Sequence, residues 1–236
     1  MLRSAGFAAL MLFVLTGNPS AVFGQTSEAP IVRVEEDWVA YIRNPDENVA
    51  APQLVHVISP LKHLDGPYGL IEFNHRSQPS FQEGGFQVQS WQGDDPYDHR
   101  TSAETNLLDS NYDKLTYTIA METDGSQLKF TLKDGRSRSW GRFAHSGVTA
   151  VAPAVGSDLR DYSPDFSAAK TTVNVGAHRA EIVYMKAARY YSSEGLVRED
   201  LTPRVLHRYL ELIQFVSLEE YEANADYFNI DITEAP

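Results

Sequence analysis

The sequence predicts an all-β protein, a two-sheet antiparallel sandwich of the jelly-roll type with a short C-terminal helical tail. Apolar and polar residues alternate with period two through most of the chain, which is typical of half-buried strands. Short polar turns separate the alternating runs, and this favours a sandwich over βα units. The chain has no cysteine, so a hydrophobic core and not disulfides must hold the fold together.

The first 24 residues have the layout of a secretory signal peptide. Arg3 supplies a positive charge, an apolar run extends from Phe7 to Leu15, and small residues precede Gln25. The run is shorter than the about 20 apolar residues that a membrane-spanning helix needs. We expect export to the periplasm, the cell envelope or the medium, and a mature chain without a membrane span. The alternative is an uncleaved anchor or a buried N-terminal helix.

Nine alternating runs predict nine strands. Asp124-Gly125 predicts a hairpin between two of them, Asp134-Gly135 predicts the end of the second run, and Gly93 to Pro96 predicts a loop. The predicted strands are Ile31–Ile42, Leu54–Ser59, Pro67–His75, Phe86–Trp91, Lys114–Glu122, Gln127–Lys133, Val148–Val155, Thr171–Val175 and Ala180–Tyr191.

The pattern changes beyond residue 200, where apolar residues recur at helical spacing and predict a helix over Val205–Phe215. These residues are Leu206, Tyr209, Leu210 and Ile213. We therefore divide the chain into a signal peptide (1–24), a flexible leader (25–33), a sandwich domain (34–200) and a helical or irregular extension (201–236).

The composition excludes several classes of function. With 20 basic and 32 acidic residues the formal net charge is −12, which argues against nucleic acid as a partner. Zinc–thiolate sites and a cysteine nucleophile are excluded because cysteine is absent. The sequence contains neither a nucleophile elbow nor a phosphate-binding loop nor a dinucleotide fingerprint.

Alternation also predicts which side chains leave the core, and several of these suit carbohydrate. Sugar C–H faces stack on aromatic rings, and amides and charged groups bind sugar hydroxyls. If the polar sides belong to one sheet, they form a ring-bearing face that binds a glycan or polysaccharide. The alternative is the solvated face that antiparallel sheets normally have. The candidate ligand-binding residues are Glu72, Asn74, Arg76, Gln87, Gln89, Trp91, Lys186 and Tyr190.

A late segment resembles the closing strand of the concanavalin A-like lectin and glucanase superfamily. It reads Asn174-Val175-Gly176-Ala177-His178-Arg179, then Glu181 to Lys186, then Ala187-Ala188-Arg189-Tyr190-Tyr191. Together with Tyr162-Ser163-Pro164 and Ser139-Trp140-Gly141, it also resembles a group of secreted bacterial proteins with that fold. The resemblance spans Val34 to Val197. It implies two antiparallel sheets, one of them concave, with glycans commonly bound on the concave side.

An enzyme acting on polysaccharide is the alternative function. Glucanase-like hydrolases of this fold carry Glu-x-Asp-x-x-Glu, because retaining hydrolysis needs two carboxylates about 5 Å apart. Here Glu72-Phe73-Asn74 lacks the Asp and the second Glu, so Glu72 is a candidate without a mate. Alginate-lyase-like enzymes carry a Tyr-x-Lys strand, which Tyr184-Met185-Lys186 matches, and a Gln-Ile-His strand, which is missing.

In a lyase, Tyr184 or Tyr190 would donate or accept the proton, and Arg76 and Lys186 would neutralise the substrate carboxylate. A third hypothesis is a structural, envelope-associated protein without a ligand.

Two acidic stretches contain candidate calcium ligands, because clustered Asp oxygens suit calcium. The first holds Asp94, Asp95 and Asp98, and the second holds Asp158, Asp161 and Asp165. The same residues are equally suited to turns and caps. No other cofactor is predicted.

Overall fold

The structure is a computed structural model, and it describes residues 29–42, 54–73, 85–101, 113–137, 141–173, 180–209 and 212–216. The described residues form two antiparallel sheets and one short helix, so the chain is an all-β sandwich as predicted. The predicted signal peptide lies outside the described residues.

The larger sheet contains nine strands in the described ranges. Seven follow the order β14-β13-β11-β1-β6-β7-β8, while β12 also pairs with β11 and β9 with β7. The strands are β1 (Arg33–Ile42), β6 (Asp113–Thr123), β7 (Gln127–Ser137), β8 (Gly141–Phe143), β9 (Val148–Pro153), β11 (Ala180–Ser192), β12 (Gly195–Asp200), β13 (Arg204–Tyr209) and β14 (Leu212–Val216).

The smaller sheet has five strands in the order β10-β2-β3-β4-β5. They are β2 (Leu54–Ile58), β3 (Pro67–Phe73), β4 (Phe86–Gln92), β5 (Asp95–Thr101) and β10 (Thr172–Val173). Each of the nine predicted strands corresponds to an observed one. The strands β5, β8, β12, β13 and β14 were not predicted.

The core lies between the two sheets, and aromatic rings from both meet in it. Phe73 of the smaller sheet lies 4.8 Å from Tyr117 of the larger one, measured between ring centroids. Phe86 lies 5.6 Å from Phe143, again across the two sheets. All four rings are buried, and each removes on the order of 150–250 Å² of surface from water. This inter-sheet packing fixes which face of every central strand points inwards.

Helix α1 (Pro164–Lys170) begins at a capping signal that is visible in the sequence, although no helix was predicted here. The Ser163 hydroxyl accepts a hydrogen bond from the Phe166 backbone N–H, and Pro164 occupies the first turn. Both are standard at a helix N-terminus. In the part of the chain that the structure describes, no helix is both long and apolar enough to cross a membrane.

The predicted helix over Val205–Phe215 is wrong, because strands β13 and β14 occupy this segment. Strand β13 pairs with Ile182–Met185 of β11, and β14 pairs with β13. Unpaired backbone groups at the edge of β11 are satisfied by a strand and not by a helix. Over so short a segment, the spacing of apolar residues does not distinguish a helix from a strand. The larger sheet therefore continues past the predicted domain boundary at residue 200.

Asp124-Gly125 forms the predicted hairpin turn between β6 and β7. Three hydrogen bonds from Ser126 and Gln127 hold the Asp124 carboxylate and lower its pKa to about 2. In contrast, Asp134-Gly135 does not end the next strand. Asp134 takes a positive φ of 55° and the register shifts opposite Thr116 and Thr118, so β7 passes through a bulge and continues to Ser137.

A substitution at Gly69 tests how closely the two sheets approach each other. A Cβ at this position would lie 2.6 Å from Cγ of Phe130, well inside van der Waals contact. We expect Gly69→Ala to lower the free energy of unfolding by about 1–3 kcal/mol, because an overpacked core must shift. Urea denaturation measures the loss.

Gly156→Ala is the matched control, since a Cβ there meets nothing within 4 Å. Equal stability of the two variants would show that β3 and β7 do not approach as closely as described.

Candidate functional site

The outer surface of the smaller sheet brings four of the predicted ligand-binding residues together. Alternation turns Glu72 of β3 and Gln87, Gln89 and Trp91 of β4 away from the core, and all four are half-buried. In the ladder, Glu72 lies opposite Gln87, Leu70 opposite Gln89, and Tyr68 opposite Trp91. We call this surface the polar face, formed by Tyr68, Leu70, Glu72, Gln87, Gln89 and Trp91.

Gln89 is the centre of a hydrogen-bond network on the polar face. Its side-chain Nε2 donates to Glu72 Oε2 at 2.8 Å and to Gln87 Oε1 at 3.3 Å. Its Oε1 accepts from the Trp91 indole Nε1 at 2.8 Å. These contacts fix the orientation of the amide, the carboxylate and the indole relative to one another.

The electrostatics of the face follow from its partial burial. Burial raises the pKa of Glu72, and the hydrogen bond from Gln89 offsets part of the rise. The rings of Tyr68 and Trp91 are nearly parallel, 10° apart, with centroids 6.4 Å apart. The face thus combines a fixed ring pair with hydrogen-bonding groups, as a sugar-binding surface requires.

Strand β5 extends the polar face with residues that were predicted to lie in no strand. His99 lies opposite Gln89, and Thr101 lies opposite Gln87, so both share the outer side. The alternation of Tyr97, His99 and Thr101 is the signal that could have found them. The turn-forming residues Gly93 to Pro96 predicted a loop here. In the structure the turn is confined to Gly93 and Asp94, and the strand begins at Asp95.

Three other candidates lie on the larger sheet and do not join the polar face. Tyr184, Lys186 and Tyr190 belong to β11. Strict alternation along the predicted strand Ala180–Tyr191 would put the three on one side, but Lys186 is an extra residue in a bulge: Met185 pairs with Trp38, and Ala187 pairs with Asp37. A bulge exchanges the two faces of the strand beyond it.

As a result, Tyr184 lies on the outer side of β11, whereas Tyr190 pairs with Val34 and joins the core. Asn74 and Arg76 lie outside the described residues.

Three of the six aspartates proposed for calcium, Asp98, Asp158 and Asp165, bind other protein groups. Asp98 Oδ2 accepts from the Val151 backbone N–H at 3.2 Å. Asp158 Oδ1 accepts from the backbone N–H groups of Ile31 and Arg160, each at 3.1 Å. Asp94, Asp95 and Asp161 are exposed, and Asp165 pairs with Arg204. Within the described ranges, no three acidic or histidine side chains are grouped to hold a metal ion.

A buried carboxylate that was not among the predicted site residues lies close to Tyr190. The ring of Tyr190 contacts that of Tyr162 edge-on, with centroids 5.6 Å apart. The Tyr162 hydroxyl donates to Glu36 Oε1 at 2.7 Å, and the Trp38 indole Nε1 donates to Glu36 Oε2 at 2.7 Å. Burial raises the pKa of Glu36 to about 7, although these hydrogen bonds oppose the rise.

His56 is a second buried polar group, and its side chain packs against aromatic residues of the core. Its Nε2 is hydrogen-bonded to the Tyr117 hydroxyl, and its ring lies 4.3 Å from that of Trp38. Burial lowers the pKa of His56 to about 3, so the imidazole is neutral in the folded protein at neutral pH.

No protein-family model matches the sequence, and a comparison with curated proteins finds no match. Among solved structures, ligand-free congerin I is similar over 54% of this chain and 89% of its own, with 14% sequence identity and a TM-score of 0.28. At that TM-score the similarity says nothing about what this chain binds.

Glu36 makes stability depend on pH. Its pKa is about 7 in the folded chain, against an ordinary value of 4.5 that applies when the chain is unfolded, so the folded protein binds more protons between these values. Glu36 by itself therefore lowers stability by on the order of 3 kcal/mol as pH rises from about 4.5 to 7. Urea denaturation across this range should show the effect as a difference between two proteins: the free energy of unfolding of Glu36→Gln should rise with pH relative to that of the wild type.

Glu122→Gln, at an exposed carboxylate of β6, is the control and should keep the wild-type slope. His56 acts in the opposite sense between about pH 3 and 6.5, because the unfolded chain binds its extra proton there. In the wild type it offsets much of the effect of Glu36, which is why the comparison is made with Glu36→Gln. An unchanged slope in Glu36→Gln would contradict the assignment.

Proposed function

We propose that the protein binds glycan through the polar face. The observation that carries this proposal is the position of Gln89, which is hydrogen-bonded at once to Glu72, Gln87 and Trp91. A solvated sheet face needs no such network, because water satisfies its polar groups. Side chains fixed before binding lose less conformational entropy when a ligand arrives.

The free hydrogen-bonding capacity of this network suits hydroxyl groups. Among the described residues, Glu72 Oε1 and the Gln87 amide nitrogen have no protein partner, so one acceptor and one donor are available. The half-buried indole of Trp91 offers a flat apolar surface next to them. His99 and Thr101 would continue the contacts across β5. A pyranose needs both kinds of contact, apolar on one side and polar at its edges.

Two parts of this proposal rest on the sequence alone. The concanavalin-like form of the sandwich, in which glycans occupy the concave side, agrees with a binding face on one sheet. Export through the N-terminal signal would bring the protein to extracellular or envelope polysaccharide.

The polar face gives less support to catalysis. In the described residues it carries one carboxylate, Glu72, whereas hydrolysis needs a pair. Tyr184 and Lys186, the residues of the lyase hypothesis, lie on the other sheet. A binding protein therefore agrees with the geometry better than a hydrolase or a lyase.

A glycan array combined with two product assays on the same preparation tests the proposal. We expect binding without new reducing ends and without the absorbance of unsaturated products. Product formation would favour an enzyme. Absence of both binding and product would favour the structural, envelope-associated role.

Trp91→Ala tests the face itself. We expect about tenfold weaker binding of an array-positive glycan, because loss of an aromatic contact costs about 0.5–1.5 kcal/mol beyond its area. Titration calorimetry measures the affinity.

Leu196→Ala removes an exposed apolar side chain from β12 of the larger sheet and should leave the affinity unchanged. Equal losses in the two variants would place the glycan elsewhere.

A further inference from the structure

The described residues also form an open cleft of about 900 Å³. Its walls come from the loop between β2 and β3, the segment leading into α1, the end of β11, and the strand β12 with its link to β13. A volume of this size is in the range of small-molecule sites. The polar face uses none of these residues.

Arg204 ties two walls of the cleft together. Its Nε donates to Asp165 Oδ1 of α1 at 2.5 Å, and its Nη2 donates to Asp200 Oδ2 of β12 at 2.8 Å. Its Nη1 also donates to the Thr202 carbonyl at 2.8 Å. The Arg204 side chain is only 10% exposed, whereas that of Asp165 is 80% exposed and that of Asp200 27%. The cleft is thus held in shape before any ligand enters.

A second arginine, Arg198, is held in place differently. Its guanidinium carbon lies 3.9 Å from the centroid of the Tyr190 ring, a cation–π contact. Stacking and a hydrogen bond to the Tyr190 hydroxyl fix the guanidinium, and its remaining N–H groups can bind a carboxylate through two parallel hydrogen bonds. In the described part of the chain, neither Arg198 nor Lys62, both on the wall of the cleft, has a carboxylate partner.

The charges on the wall define the ligand. Arg160 and Glu199 line the cleft but are paired outside it, with Asp158 at 2.6 Å and Arg189 at 2.7 Å. The other charges on the wall are the cations Lys62, Arg198 and Arg204 and the carboxylates Asp165 and Asp200, which leaves one positive charge in excess. The carboxylates repel a ligand with several negative charges, such as a phosphate ester, but they accept hydrogen bonds from hydroxyl groups. A ligand with one carboxylate and several hydroxyls satisfies both conditions.

We infer that this cleft binds a sugar acid, with the ligand carboxylate on Arg198 and Lys62 and its hydroxyls on the acidic wall. Pro164 and Leu201 line the cleft and give apolar surface for the C–H groups of the ring. The inference extends the proposed glycan binding to a second, acidic sugar and a separate site. Its test is independent of the polar face.

Titration calorimetry with glucuronate and galacturonate, against glucose and galactose, tests the inference. We expect the acids to bind at least tenfold more tightly than the neutral sugars, and more weakly as salt increases. Arg198→Gln should weaken binding of the acids about tenfold or more, because a charge-assisted bidentate contact is lost.

Lys62→Gln, in the exposed loop after β2, is the second variant and should weaken binding in the same sense if Arg198→Gln fails to fold. Trp91→Ala should leave the affinity for sugar acids unchanged, which separates the two sites. Equal affinity for acidic and neutral sugars would overturn the inference. So would wild-type affinity in both the Arg198 and the Lys62 variants, or no binding of either acid.

Discussion

The packing of two inner sheet faces against each other is the constraint on which the rest of the structure depends. Phe73 and Phe86 on one sheet meet Tyr117 and Phe143 on the other, and all are buried. A strand that slipped by one residue would expose its share of this core, so the register is fixed wherever the core is thick. The outward direction of Glu72 and Gln89 is a consequence of burying Ile71 and Val88.

For this reason the sequence predicted correctly which side chains of β3 and β4 point outwards, but not which side chains of β11 do. Strands β3 and β4 alternate without interruption, so their periodicity places Glu72, Gln87, Gln89 and Trp91 on one side. Strand β11 alternates only until Lys186, where a bulge exchanges its faces. Nothing local marks that bulge, because neither glycine nor proline is present there. A bulge is defined by the pairing of two strands, so this one can be recognised only from the register of β11 against β1.

The C-terminal segment shows the same limit of local reasoning. Between Val205 and Phe215 the spacing of apolar residues fits a helix, yet the segment forms β13 and β14. The edge of β11 decides the outcome, since its backbone groups need partners that lie far away in sequence. Helix α1 is the converse case, because Ser163 and Pro164 indicate it locally without any help from tertiary contacts.

Glu36 links these packing arguments to the cleft. It occupies an inward position of β1 between Val34 and Trp38, where the pattern calls for an apolar residue, and it is fully buried. A buried carboxylate costs stability even when it is hydrogen-bonded, so its presence here calls for a reason other than packing. One of its hydrogen-bond donors, Tyr162, lines the cleft that also holds Arg204 and Arg198. Departures from the local pattern concentrate where proteins work. Here the buried carboxylate of Glu36 lies next to a cleft whose walls Arg204 holds together. An ordinary edge of the core would have neither feature.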